Sequence, residues 1–157
     1  MSRANNKRLG FSLLEMMLVV VIIGLVAAIA IPRLSRGAAG ATDAALSGNL
    51  AVLRDAIDRY STEHGGAFPT VANVTNQLTQ YSSAGGVTSA TKTDGNYSYG
   101  PYVRKVPPLP VGANKGNSGV AASAGAGVGW IYDASTGNIS AACTTETDSA
   151  GVLYTSY

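Results

Sequence analysis

The chain has 157 residues, of which 46% are hydrophobic and only 13% charged, below the usual quarter, and its formal net charge is +2. This length suits one domain with an additional anchoring segment. No dense basic patch of the kind that binds nucleic acid is visible, so nucleic acid is not expected as a partner. The single cysteine, Cys143, excludes an intramolecular disulfide and is expected to be buried rather than modified or paired between chains.

A basic leader comes before a long apolar segment. Three basic residues stand within residues 1–10, and the apolar segment covers residues 11–31. These residues, about 21 in number, reach about 31 Å at ~1.5 Å per residue, which matches a hydrocarbon core roughly 30 Å thick. The basic residues favour a cytoplasmic N terminus. The sequence therefore predicts a single membrane pass with the rest of the chain on the far side.

One carboxylate, that of Glu15, lies within the apolar segment. An acidic side chain in such a segment costs on the order of 3 kcal/mol on insertion scales, and less near the membrane interface. The charge therefore needs compensation. We expect a cation that comes from outside the segment to supply it.

Residues 10–15, Gly-Phe-Ser-Leu-Leu-Glu, resemble the class III signal of type IV pilins and type II secretion pseudopilins. This resemblance implies that a prepilin peptidase cuts after Gly10 and that the new N-terminal residue, Phe11, is N-methylated. It also implies that Glu15 pairs with the N-terminal amine of a neighbouring subunit during filament assembly. Pro32 sits where this family usually kinks its helix.

The same resemblance implies a structural subunit of a type II secretion pseudopilus. The subunit would wait in the bacterial inner membrane as a single-pass protein with its C-terminal domain in the periplasm, and would then enter the filament. Its expected partners are further copies of itself, minor pseudopilins, the prepilin peptidase and the inner-membrane assembly platform. Neither catalytic activity nor a cofactor is expected.

The apolar segment is followed by Pro32, which lacks an N–H group and clashes with the carbonyl four residues earlier. A kink or break is therefore predicted near residues 28–32. The small residues 37–41 include two glycines, which weaken helix propensity. We expect the stretch 32–40 to melt locally in an assembled fibre.

Residues 42–64 have a clear helical period, and a pair of glycines at 65–66 ends the helix. Opposite charges four residues apart contribute a few tenths of a kcal/mol each, and these pairs are Arg54–Asp58 and Asp55–Arg59. One apolar stripe steps by four and three residues, and its members are Leu46, Leu50, Leu53, Ile57 and Tyr60. We expect this stripe to be covered by a small sheet.

The chain after this helix predicts loops and short strands. A short helix is expected at 74–78, a loop at 82–96, and a strand through Tyr97 and Tyr99. The proline-rich stretch 102–110 is similar to the corresponding segment of major pseudopilins.

The last part of the chain has a small-residue tract and a hairpin pattern. The tract 111–129 consists mainly of Gly, Ala and Ser and predicts a flexible loop. A β-hairpin is expected over 129–141, and a last strand over 152–157. Three residues of the hairpin would contact the helix or the sheet edge: Trp130, Tyr132 and Ile139.

Together these elements predict an α+β, pilin-like fold. A long N-terminal α-helix, whose first half spans the membrane, would pack against a small C-terminal antiparallel β-sheet. The expected organisation is a leader peptide at 1–10, a transmembrane or filament-core helix at 11–32, the second half of the long helix at 33–66, and a periplasmic globular region at 67–157.

No catalytic set stands out in the sequence. His64 is the only histidine, and a structural or exposed role at the helix C terminus is expected. Many major pseudopilins bind calcium in a C-terminal loop, and calcium needs several oxygen ligands. Calcium is the disfavoured alternative to having no cofactor, because the late acidic residues are few: Asp94, Asp133, Glu146 and Asp148.

Other interpretations compete with the pseudopilin hypothesis. A type IV pilus or competence pilin subunit would carry the same N-terminal motif. A membrane-anchored periplasmic binding domain that never polymerises would be indifferent to the loss of Glu15. An enzyme would have a pocket with convergent polar groups within residues 40–157. An ordinary secretory signal would be cut near the small residues 28–30, but the apolar run is longer than such signals need.

Overall fold

A computed structural model of the chain describes residues 10–93 and 95–157, apart from the side chains of Pro32, Ser35 and Arg36. The predicted leader therefore lies outside the described residues, except for Gly10. The contacts divide the chain into an N-terminal unit that ends at Ala38 and a second unit, Ala39–Tyr157.

The predicted α+β class is confirmed, with a long helix first and small sheets in the C-terminal region. The elements are α1 (Leu13–Glu63), α2 (Val74–Thr79), β1 (Tyr81–Ser82), β2 (Thr88–Ser89), β3 (Gly119–Ala121), β4 (Val128–Tyr132), β5 (Ile139–Ala141) and a 3-10 turn (Tyr154–Ser156). One sheet pairs β1 with β2, and the other has the strand order β3-β4-β5.

Helix α1 is helical from Leu13 to Glu63, so no break interrupts it at Pro32 in the single chain. Proline removes one hydrogen bond, the one to the carbonyl of Ala28, and the neighbouring turns can keep theirs. The kink at Pro32 and the local melting of residues 32–40 in an assembled fibre stay predictions.

The apolar stripe of α1 is buried as predicted, with every member at most 3% exposed. The predicted pair of Asp55 with Arg59 forms, with 2.9 Å between Oδ2 and Nε. Arg54 does not pair with Asp58. Its guanidinium donates instead to the main-chain oxygen of Ile139 at 3.3 Å, which ties the helix to β5.

The predicted hairpin is formed by β4 and β5, which pair antiparallel. Trp130, Tyr132 and Ile139 are buried in the core, as expected. The indole N–H of Trp130 donates to the carbonyl of Pro107 at 2.8 Å, and the Tyr132 hydroxyl donates to the carbonyl of Pro69 at 3.0 Å. Burial raises the pKa of Tyr132 to about 12, so its hydroxyl stays a donor at neutral pH.

The three-stranded sheet is mixed, because β3 runs parallel to β4. The predicted antiparallel pairing forms between β4 and β5, and β3 adds a parallel pair that the sequence does not predict. The flexible loop predicted at 111–129 is wrong, since the tract contains β3 and the buried Val111. Backbone groups pair without large side chains, so a Gly- and Ala-rich strand can form. The connection from β3 to the parallel strand β4 is short. Because β3 spans only about 10 Å, residues 122–127 are enough to lead the chain back to the start of β4.

Replacing Gly129 by alanine is expected to lower the free energy of unfolding by about 3 kcal/mol. A Cβ atom at this position would lie 2.1 Å from the carbonyl oxygen of Asn117, so the two backbones would have to separate. Gly125→Ala is the matched control, because its Cβ would lie 3.8 Å from the Val128 side chain. Urea denaturation of the full chain in micelles measures both, and equal losses would contradict the proposed close approach.

The strand predicted through Tyr97 and Tyr99 is replaced by two isolated bridges, Ser82–Tyr99 and Thr93–Tyr97. Gly100 follows with φ +71°, which turns the chain before a strand can continue. The loop predicted before these tyrosines contains most of the β1–β2 ribbon.

The last strand, predicted over 152–157, is also absent. Leu153 makes one isolated bridge with Thr147, and a 3-10 turn then follows. The N–H group of Val152 donates to the side chain of Asp148 at 2.8 Å. This local bond competes with the ladder that a strand would need.

Candidate assembly site

The predicted processing residues lie immediately before α1. Gly10, Phe11 and Ser12 are exposed and not helical, and the helix begins at Leu13. The carbonyl of Ser12 accepts a helical hydrogen bond from the N–H of Met16 at 3.1 Å. Because the bond between Gly10 and Phe11 is outside the helical ladder, the chain there can take up the extended form that a protease requires.

Glu15 lies in the first turn of α1, where a carboxylate interacts favourably with the helix dipole. Its side chain is exposed, and it makes no salt bridge within the part of the chain that the structure describes. It shares an open groove on the helix surface with a mostly apolar set of side chains: Ser12, Leu14, Met17, Leu18 and Val21.

The helix segment that contains Glu15 is suited to a membrane or to other helices. Residues Leu13–Ile31 are long and apolar enough to span a bilayer, and none of them is buried within the chain. Phe11 is 77% exposed and Leu13 is 85% exposed. An apolar surface this large is unfavourable in water, which fits a segment that is covered by lipid or by other helices.

His64 is buried near the end of α1 and has a structural role, in agreement with the sequence. Its Nδ1 atom lies 2.8 Å from the carbonyl oxygen of Tyr60, and its Nε2 atom lies 3.0 Å from that of Ser83. The imidazole also stacks on the Tyr60 ring, with 3.8 Å between centroids. These contacts tie the helix end to the chain that follows β1.

A cavity of about 210 Å³ lies beside His64. Gln77 in its wall accepts a hydrogen bond from the N–H of Thr70 and donates to the carbonyl of Gly86, both at 2.9 Å. Pockets that bind small molecules usually have roughly 300–1,000 Å³. This cavity is smaller than that range, and the polar groups of Gln77 are already paired within the chain.

Cys143 is fully buried, which confirms the expectation for its side chain. Its thiol lies 3.8 Å from the carbonyl oxygen of Val111. Burial raises the pKa of the Cys143 thiol to about 11, and the nearby Glu146 carboxylate adds to this. The thiol is therefore protonated at neutral pH and is a poor nucleophile.

Among the acidic residues considered for calcium, those that the structure describes do not form a cluster. Within residues 10–93 and 95–157, no three His, Cys, Asp or Glu side chains come together in a way that could hold a metal ion. Asp133, Glu146 and Asp148 each accept hydrogen bonds from nearby donors instead. Asp94 lies outside the described residues.

Two comparisons with known proteins bear on the family of this chain. The family model described as a prokaryotic N-terminal methylation motif matches residues 5–31. The chain is 30% identical over 109 residues to the type II secretion system core protein G of Klebsiella pneumoniae. These 109 residues make up 69% of this chain and 73% of that protein. No solved structure matches the chain.

Proposed function

Because this chain belongs to the type II secretion pseudopilins within the type IV pilin-like family, we propose that it is a structural subunit of a type II secretion pseudopilus. A prepilin peptidase removes residues 1–10, Phe11 is N-methylated, and the processed subunit polymerises through its N-terminal helix.

The observation that carries this proposal is the position of Glu15 relative to Phe11. Cleavage after Gly10 creates an amine at Phe11, one helical turn before the carboxylate on the same apolar segment. In lipid or between helices each charge alone is costly. When subunits are staggered along a filament, the amine of one subunit can neutralise the carboxylate of the next. Assembly then removes a charge penalty that the lone subunit retains.

The apolar segment also supports the proposed location. Before assembly, Leu13–Ile31 would cross the inner membrane once, with residues 39–157 in the periplasm. During assembly the same exposed side chains would exchange lipid for the helices of neighbouring subunits. Further copies of the chain, minor pseudopilins and the inner-membrane assembly platform are the proposed partners.

Processing is tested by the intact mass of the protein extracted from membranes. We expect a chain that begins at Phe11 and carries one added methyl group. Gly10→Val should retain the leader, because its side chain would crowd the cleavage site, whereas the matched change Gly24→Val, inside the segment with open space around its Cβ, should be processed normally. A wild-type chain that keeps residues 1–10, or one that begins at Ile31 after an ordinary signal cleavage, would rule out the proposed processing.

A further inference from the structure

The C-terminal strap, defined here as residues 144–157, is closed by the side chain of Asp148. One carboxylate oxygen, Oδ1, accepts hydrogen bonds from the N–H groups of Ala150 and Val152, both at 2.8 Å. The other, Oδ2, accepts one from the hydroxyl of Tyr157 at 2.5 Å. Both oxygens of Asp148 are thus engaged by donors of the strap itself.

Glu146 joins the strap to the turn at residues 112–116. Its Oε1 atom accepts a hydrogen bond from the N–H of Ala113 at 2.8 Å, and its main-chain carbonyl accepts one from the N–H of Tyr154 at 3.1 Å. A Cβ atom at Gly112 would lie 3.1 Å from the same carboxylate oxygen and 2.5 Å from the sulfur of Cys143. The space on this side of Glu146 is therefore filled by the chain.

The strap is also attached to α1 at two points. The Tyr154 hydroxyl donates to Oδ1 of Asp43 at 2.9 Å. The Arg54 guanidinium donates to the main-chain oxygen of Tyr157. These two helix positions are about 16 Å apart at ~1.5 Å per residue, so the strap braces about three turns of the helix.

These contacts do not fit a calcium site in the C-terminal loop, such as many major pseudopilins have. Calcium takes six to eight oxygen ligands, whereas the carboxylates of Glu146 and Asp148 already accept hydrogen bonds from N–H and O–H donors. Asp133, the third of the late acids that the structure describes, accepts its bonds from Ser135 and Thr136 in the β4–β5 turn. A metal ion would have to displace donors at each carboxylate.

We propose that this clamp of carboxylates and tyrosines holds the strap on the domain without calcium, and that protonation of Asp148 releases it. The position of the strap is then set by pH rather than by a metal ion. This inference concerns only residues of the second unit and does not depend on the proposed assembly.

The direction of the pH effect follows from the pKa of Asp148. The hydrogen bond from Tyr157 lowers it most, followed by the N–H of Val152. Because the pKa is lower in the folded chain, the clamp contributes its full stability above the unfolded value of about 3.9. That stability is lost as the pH falls below this value and through the folded pKa.

Other titratable and charged groups also face the clamp. Hydrogen bonds to carboxylates and burial raise the pKa values of Tyr154 and Tyr157 to about 12, so both stay donors. Asp43 accepts from Tyr154, Arg54 donates to the main-chain oxygen of Tyr157, and the Cys143 thiol is protonated.

The calcium part of this proposal is tested by thermal unfolding of the full chain in detergent micelles, with EGTA or with about 1 mM CaCl2, a concentration that fills extracellular calcium modules. We expect the same Tm in both conditions. A Tm that rises with calcium in the wild type but not in Asp148→Ala would overturn the proposal.

The clamp itself is tested by hydrogen exchange at the amides of Ala150 and Val152. Asp148→Ala should speed their exchange roughly tenfold, the loss expected for one to two hydrogen bonds to a charged group. Asp133→Ala is the matched control and should leave these amides unchanged. If Asp148→Ala does not fold, Tyr157→Phe removes one donor and should move the exchange in the same direction. Unchanged exchange in the folded variants would contradict the clamp.

The pH dependence is read from the Tyr157 ring signals by NMR. In the wild type and in Asp133→Ala they should move toward those of free tyrosine as the pH falls below about 4. In Asp148→Ala the shifted signals should already be present at neutral pH. Ring signals that do not change with acid in the wild type would refute the proposed release.

Discussion

Glu15→Gln is expected to lower the yield of filaments on the order of hundredfold while leaving removal of the leader intact. The substitution keeps the shape of the side chain and removes its charge. The amine of Phe11 on the neighbouring subunit would then be left without a counter-ion in an apolar contact. Breaking a buried ion pair costs about 3–5 kcal/mol, and 1.4 kcal/mol corresponds to about tenfold in an equilibrium.

The matched control for this variant is Asp55→Asn, which removes one acidic charge from the same helix. Asp55 is exposed in the second unit and pairs with Arg59, and such surface pairs contribute little. Filament yield, measured by shearing and electron microscopy, should be close to wild type for this control. Normal filaments from Glu15→Gln would contradict the charge-neutralisation account, and equal losses in both variants would mean that the assay does not isolate Glu15.

Trp130→Ala is expected to lower the free energy of unfolding by about 4 kcal/mol, a large share of the roughly 5–15 kcal/mol of a typical domain. The Trp130 side chain is 0% exposed in the core between α1 and the mixed sheet. Its removal leaves a cavity and also removes the donor to the carbonyl of Pro107. A half-buried carbonyl left without its donor adds to the loss.

The control for the core variant is Val52→Ala, at a helix position that is 52% exposed. It should change the free energy of unfolding by less than about 1 kcal/mol. Chemical denaturation followed by circular dichroism suits this pair, because the chain has a single tryptophan and the variant loses its fluorescence. A loss below about 1 kcal/mol for Trp130→Ala would show that the core does not depend on this side chain.

The sequence predicts the elements whose signals are local. The stripe from Leu46 to Tyr60 follows the helical period, and the hairpin around Trp130 and Ile139 follows strand alternation with a turn between its strands. The structure confirms both, since the stripe is buried and the two strands pair. Strand β3 has no such signal, because it forms through backbone pairing in a tract almost without large side chains. Its partner is determined by the close approach of glycine backbones, which no local pattern reveals.

The strap was predicted wrongly for a related reason. Val152 to Tyr157 reads as a strand by composition, but the carboxylate of Asp148 takes up the N–H groups that a ladder would use. The anchors at Asp43 and Arg54 are more than ninety residues away in the sequence. Contacts of that range depend on the folded domain and carry no periodic signature.

The sequence indicates the candidate assembly site in two ways: through the N-terminal motif and through a charged side chain in an apolar segment. The charge of Glu15 inside an apolar segment indicates that a partner is needed, and the structure places Glu15 in the first turn of α1, shortly after Phe11 in the chain. The proposed pair joins two subunits, so it would form only on assembly. The role of Gly10 rests on the resemblance and is tested through processing.

The most direct measurement of the intersubunit pair is zero-length cross-linking of filaments assembled from a mixture of 14N- and 15N-labelled subunits. A carbodiimide joins an amine to a carboxylate only when they are in contact. The account predicts a peptide in which the Phe11 amine of one subunit is bonded to Glu15 of a subunit with the other label. Cross-links between these two groups only within single chains, or none while other amine–carboxylate pairs react, would contradict it.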